Sequence, residues 1–144
     1  MHATEDWKPA LDFATEGLLE ARKHLKFGTD AALQLMVFDL LGLRARCAAR
    51  LNTPAEADEA FRDAIRFYKS FIEKRESGKV DFGMDLAVEF LKYLKEQNRQ
   101  YTAEADIVRT SAVGWLETAR RHTKPDSPER KKVGDWQRKL DDTK

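Results

Sequence analysis

A chain of 144 residues is long enough to bury one core without metals or cross-links, so a single domain is expected. With 42% hydrophobic and 35% charged residues, seven Gly and four Pro, it fits long helices joined by short connections better than disorder or a turn-rich β fold. Twenty-six Lys and Arg against 25 Asp and Glu leave a net charge of +1, without the basic excess that drives nonspecific phosphate binding, and one cysteine cannot form an internal disulfide.

The first helix is expected from about Thr4 to Leu25. Trp7, Ala10, Leu11, Ala14, Leu18 and Ala21 fall on one apolar face, and Pro9 is accommodated in the first turns. Gly28 ends it and Thr29 can cap the next. There Leu33, Met36, Val37, Leu40, Leu41, Leu43, Cys47, Ala48 and Leu51 make a surface broad enough for a central helix, with Cys47 as a small core side chain. Glu5 and Asp6 stand where a signal peptide would be basic and apolar, and Asp39 breaks the longest hydrophobic stretch well short of a membrane span. A cytoplasmic protein that does not contact membrane is expected.

Thr53-Pro54-Ala55-Glu56 reads as a capping box opening a third helix that runs to about Arg75. Its stripe is Ala57, Phe61, Ala64, Ile65, Tyr68, Phe71 and Ile72, and Ser77-Gly78 breaks it. A fourth helix from about Asp81 carries Met84, Ala87, Val88, Phe90, Leu91 and Leu94 and ends near Gln100. Thr102 caps a fifth that packs through Ile107, Val108, Ala112, Trp115, Leu116 and Ala119. After the linker 123–126, Ser127-Pro128-Glu129 opens a short last helix over 127–141 with Val133, Trp136 and Leu140 inward, a cap on residues 1–122.

Ala55-Glu56-Ala57-Asp58 recurs as Ala103-Glu104-Ala105-Asp106, and the same offset pairs Ala64 with Ala112, Ile65 with Val113 and Phe67 with Trp115. The small-aromatic-small series Ala57, Phe61, Ala64 appears again as Ala3, Trp7, Ala10, whereas the fifth helix has Arg109 between Ala105 and Ala112. This pattern resembles the second helix of a tetratricopeptide repeat, and Leu41, Ala45 and Ala48 fit the helix before it, across roughly the first 120 residues. Spacing longer than the usual ~34 residues, the missing Pro after the third helix, and Glu89 and Tyr93 depart from the family. The resemblance implies six antiparallel helices stacked as hairpins in a right-handed superhelix; a plain antiparallel bundle is the other way to use such spacings. In this register the first helix is the second member of a hairpin, so a longer array or another subunit, including a second copy, is expected to cover it.

The histidines at 2, 24 and 122 are scattered and suit surface or helix-end roles. No Gly-rich phosphate loop, Cys pair or nucleophile elbow occurs, so no catalytic residue, metal or cofactor is expected. In the family the first helices of the hairpins line a groove. By resemblance this places Asp39, Gly42, Arg46, Ala49 and Arg50 on the binding face, with Leu94, Gln97 and Asn98 completing it. Arg46 and Arg50, one turn apart, would together offer forked donors to an acidic segment, and Gly42 would admit a ligand's backbone. The same arginines suit an ordinary solvated face, and Asp39 either stands in water at the groove edge or pairs with Arg44 or Arg46.

The expected function is a non-catalytic protein–protein interaction module, an adaptor or complex subunit holding a partner's peptide or helix. The alternative is a structural subunit of a nucleic-acid-associated complex using Arg120, Arg121, Lys124, Arg130, Lys131, Lys132, Arg138 and Lys139 around Trp136. A third reading is a helical-bundle enzyme or carrier with a pocket between helices.

Overall fold

The computed structural model describes residues 3–23, 30–74 and 80–144, which are helical throughout apart from turns: α1 (Ala3–Arg22), α2 (Ala31–Arg50), α3 (Pro54–Phe67), α4 (Val80–Glu96), α5 (Ala103–Arg121) and α6 (Pro128–Asp141). A π-helical turn, Tyr68–Ile72, continues α3. The helices gather into two compact units, Met1–Lys74 and Arg75–Lys144. The expected breaks at Gly28 and Ser77-Gly78, and the Thr29 cap, lie outside the described residues.

In the first unit α2 is the middle helix, packed on α1 and α3. The inward stripe of α1 is Ala14, Leu18 and Ala21, with Trp7, Ala10 and Leu11 half-buried. Small residues bring the helices together: a Cβ at Gly17 would lie 3.0 Å from Cδ1 of Leu40. Because α1 begins at Ala3, Pro9 stands in its second turn, beyond the amides that lack partners anyway, and costs one intrahelical hydrogen bond. Asp30 caps α2, its Oδ1 accepting from the Leu33 N–H at 3.0 Å. Val37, Phe38, Leu41, Ala45, Cys47 and Ala48 are buried, with the Phe38 and Tyr68 rings 5.9 Å apart. Met36, expected inside, is 51% exposed.

The turn from α2 to α3 is not the expected capping box. Asn52 takes a left-handed φ of 56°. The Asn52 N–H then donates to Ala49 O at 3.3 Å and the Thr53 N–H to Ala48 O at 3.2 Å, a Schellman motif that satisfies the last carbonyls of α2. The Thr53 hydroxyl also donates to Ala48 O, at 3.0 Å, and makes no cap bond to α3. With only three residues between the helices, Thr53 closes the helix before it, and Pro54 starts the next without needing a donor. Along α3 the expected stripe of Ala57, Phe61, Ala64, Ile65 and Tyr68 is buried together with Ala60. The Glu73 N–H then reaches back five residues to Tyr68 O at 2.9 Å, which makes the π turn and leaves Ile72 buried and Phe71 half-buried.

The second unit repeats the hairpin. The α4 core is Met84, Leu86, Ala87, Val88, Phe90, Leu91, Tyr93 and Leu94. Its end is again a Schellman motif: Asn98 has φ 58°, its N–H donates to Lys95 O at 3.0 Å, and the Arg99 N–H donates to Leu94 O at 2.7 Å. The longer connection lets Thr102 act as a true cap, accepting from the Ala105 N–H at 3.4 Å. Ala105, Val108, Ala112, Trp115 and Leu116 are buried, whereas Ile107, expected inside, is 64% exposed.

Ser127 caps α6, accepting from the Arg130 N–H at 3.2 Å, and α6 lies on α5 and α4 through Val133 and Leu140. Its carboxyl end is held by cations from both: Lys95 Nζ donates to Asp142 O at 3.1 Å and Arg109 Nη2 to Thr143 O at 3.5 Å. Arg109, at the position that Phe61 holds in α3, thus meets a helix end rather than an apolar gap.

Candidate functional site

Among the described residues two surfaces group charged and aromatic side chains, one in each unit. On α2, Asp39, Gly42, Arg46 and Ala49 follow one another at three- and four-residue steps and share a strip of the helix. Asp39 is exposed, Arg46 half-buried and Gly42 buried. The guanidinium of Arg46 folds back one turn over Gly42, so that a Cβ there would lie 3.5 Å from Nη1. The space that Gly42 opens is thus taken by the chain's own arginine rather than left for a ligand's backbone. Arg50 turns the other way, its guanidinium carbon 5.8 Å from the centre of the Trp7 ring, a cation–π contact tying α2 to α1.

Arg46 and Arg50 are therefore not aimed as a pair, although they are one turn apart. Arg44 is engaged with Asp63 at 3.6 Å, joining α2 to α3. Behind this strip, burial pushes the Cys47 thiol above its ordinary pKa, and the charge of Arg46 partly opposes the shift. Asn98 lies in the other unit, where its left-handed backbone makes the Schellman turn. Beside it Leu94 is buried, and Gln97 Oε1 accepts from Arg99 Nε at 3.0 Å. The three residues expected to complete the groove are thus engaged in ending α4.

The second surface is an open cleft of about 380 Å³ between the first turns of α4 and the body of α6. Its walls are Asp81, Phe82 and Asp85 on α4, and Lys132, Asp135, Trp136 and Lys139 on α6. The Trp136 Nε1–H donates to Asp81 Oδ1 at 2.7 Å, which fixes the indole plane. Lys132 Nζ lies 3.9 Å from Asp81 Oδ2, and Lys139 Nζ sits over the indole, 4.5 Å from its centre. Phe82 is 37% exposed at the rim. This cleft escapes a reading by periodicity, because Asp81 and Trp136 are 55 residues apart and only the docking of α6 joins them. The exposed aromatic at 82, off the α4 stripe, was the available signal.

Half of the basic C-terminal residues are committed within their own unit. Arg130 reaches back to the end of α5, donating from Nη2 to Arg120 O at 2.6 Å and Thr123 O at 3.1 Å, and from Nε to Thr123 Oγ1 at 3.1 Å. That is a carbonyl cap for α5, where positive charge also meets the helix dipole. Arg138 pairs with Asp135. With Lys132 and Lys139 in the cleft, Arg120, Arg121, Lys124 and Lys131 stand exposed.

His122 ends α5, as expected, its N–H shared by Ala119 O and Thr118 O; His2 and His24 lie outside the described residues. Among the described residues no three His, Cys, Asp or Glu side chains are grouped to hold a metal, and no helix is long and apolar enough to cross a membrane. No protein-family model matches the chain, and neither a curated protein nor a solved structure is significantly similar to it.

Proposed function

We propose that this chain is a non-catalytic protein-interaction module, an adaptor or complex subunit built from degenerate tetratricopeptide-like hairpins that presents its first helices to a peptide or helix of a partner. The observation that carries this reading is the duplication of one hairpin down to its backbone. Both hairpins end their first helix with Asn in the left-handed conformation. Both carry the same Ala-Glu-Ala-Asp in the first turn of their second helix, and at the common offset Ala57 and Ala105, Ala60 and Val108, Ala64 and Ala112, and Tyr68 and Leu116 are buried, while buried Ile65 is matched by exposed Val113. Repeating a scaffold while its exposed residues vary suits a surface built for recognition.

On this reading the partner meets α2 at Asp39 and Arg46. Arg50 supports that face through Trp7 rather than touching the partner. Affinity capture from a lysate, with and without nuclease, compares wild type with an Asp39→Lys/Arg46→Glu variant whose helicity is first checked by circular dichroism. A protein partner that survives nuclease and is lost from the variant supports the proposal. Capture that disappears with nuclease and is insensitive to the variant would replace it with the nucleic-acid alternative.

A further inference from the structure

We propose that the helix received by the α2 face is α2 of a second copy of this chain, lying antiparallel across it. The face is self-complementary. Met36 stands three residues before Asp39, Ala49 stands three after Arg46, and Gly42 and Leu43 lie midway between them. Turning a second copy end for end about that midpoint sets Asp39 against Arg46 and Met36 against Ala49, and the two-fold axis makes each contact twice.

The exposure of these residues suits such a pairing. Met36 is 51% exposed, a flexible apolar side chain left outside, and it would seat on the small Ala49. Half-buried Leu43 lies at the axis beside Gly42. Asp39 is exposed and has no ion pair among the described residues. In the single chain the guanidinium of Arg46 rests over Gly42, and a carboxylate arriving at the level of Arg46 itself would draw it outward and clear the axis. Arg46 has five N–H donors, so it can bind that carboxylate and keep a partner in its own chain. Arg50 is drawn aside to Trp7, which leaves the strip one acid and one base. A strongly acidic or strongly basic partner would meet a like charge at one of the two. A segment with the opposite order of charges satisfies both, and the antiparallel copy has that order.

The self-pairing rests on the α2 face proposed above and names its occupant. A single pair of 20-residue helices buries less than a standard interface, so the dimer is expected to dissociate on the order of 100 μM. Sedimentation equilibrium of the full chain, from about 10 μM to about 1 mM, compares wild type with Asp39→Lys, Arg46→Glu and the variant carrying both, each first checked for helicity by circular dichroism. Wild type is expected to dimerise reversibly. Each single exchange brings like charges together twice across the axis and should weaken the dimer about tenfold. The variant carrying both exchanges should recover it. An equimolar mixture of the two single variants should pair nearly as well as wild type, because each then finds the opposite charge in the other. A chain that stays monomeric throughout, a dimer indifferent to both single exchanges, or a mixture no tighter than its components would overturn the proposal. If a different protein is captured from the lysate through α2 while the chain stays monomeric, the interaction module stands and the self-pairing does not.

Discussion

Replacing Arg130 with Met removes the guanidinium that binds α6 to the end of α5 while keeping most of the side-chain stem. Three hydrogen bonds are lost, to Arg120 O, Thr123 O and Thr123 Oγ1. A sheltered bond from a charged donor contributes about 1.5 kcal/mol. Arg130 is half-exposed, and water can replace part of what its acceptors lose, so the net loss is about 2 kcal/mol rather than the full sum. With an unfolding slope of about 2 kcal/mol per M urea, the midpoint should fall by about 1 M. Far-UV circular dichroism during urea unfolding measures this. Arg138→Met is the matched control, because its bond to Asp135 joins side chains that are 72% and 55% exposed. That control should cost less than about 0.5 kcal/mol. Equal midpoints for the two variants would refute the capping role and return Arg130 to the solvated bases that nucleic-acid binding would need.

Asn98→Ala should cost about 1 kcal/mol, because a φ of 58° is tolerated by Asn but strains Ala, whereas Asn98→Gly should be nearly neutral; urea midpoints decide both. Gly114→Ala should stabilise by about 0.8 kcal/mol in the same assay, since Gly114 lies inside α5 and a Cβ there meets nothing within 4 Å. Cys47 is fully buried and its pKa raised, so native protein should resist thiol reagents that label it readily once unfolded. The sign of the pH effect follows: the stabilisation is complete below the thiol's unfolded pKa and is lost as pH rises through the folded one. Stability should therefore decline across that alkaline window in wild type and more shallowly in Cys47→Ala.

Most of the fold was legible because helices announce themselves by periodicity and by polar caps. Thr102 and Ser127 sit after connections long enough to give each helix its own cap, and both behave as their residue types suggest. Thr53 misleads because three residues serve two helix ends, and the competition goes to the carbonyl of Ala48. Ile107 and Met36 misled because each lies beside an apolar stripe wide enough to absorb it on paper. The candidate site was legible only as a strip of α2. Which way Arg46 and Arg50 point is decided by Gly42 and by Trp7, the latter 43 positions away from Arg50, and no local pattern encodes that choice. The cleft depends on α6 docking on α4, a tertiary event with no sequence period.

The π turn marks the place where the match between α3 and α5 slips. From Ala55 to Tyr68 the sequences of α3 and α5 match at one offset, and buried Tyr68 falls on buried Leu116. Four residues on, the same offset would set buried Ile72 against exposed Arg120, whereas a shift of one sets it against Ala119, half-buried and apolar. One residue more in this helix than in α5 after Tyr68 matches both the slip and the wide turn that absorbs it. A chain lacking the exposed Ser70 should carry this helix as unbroken α, bringing its tail back into phase with that of its sibling.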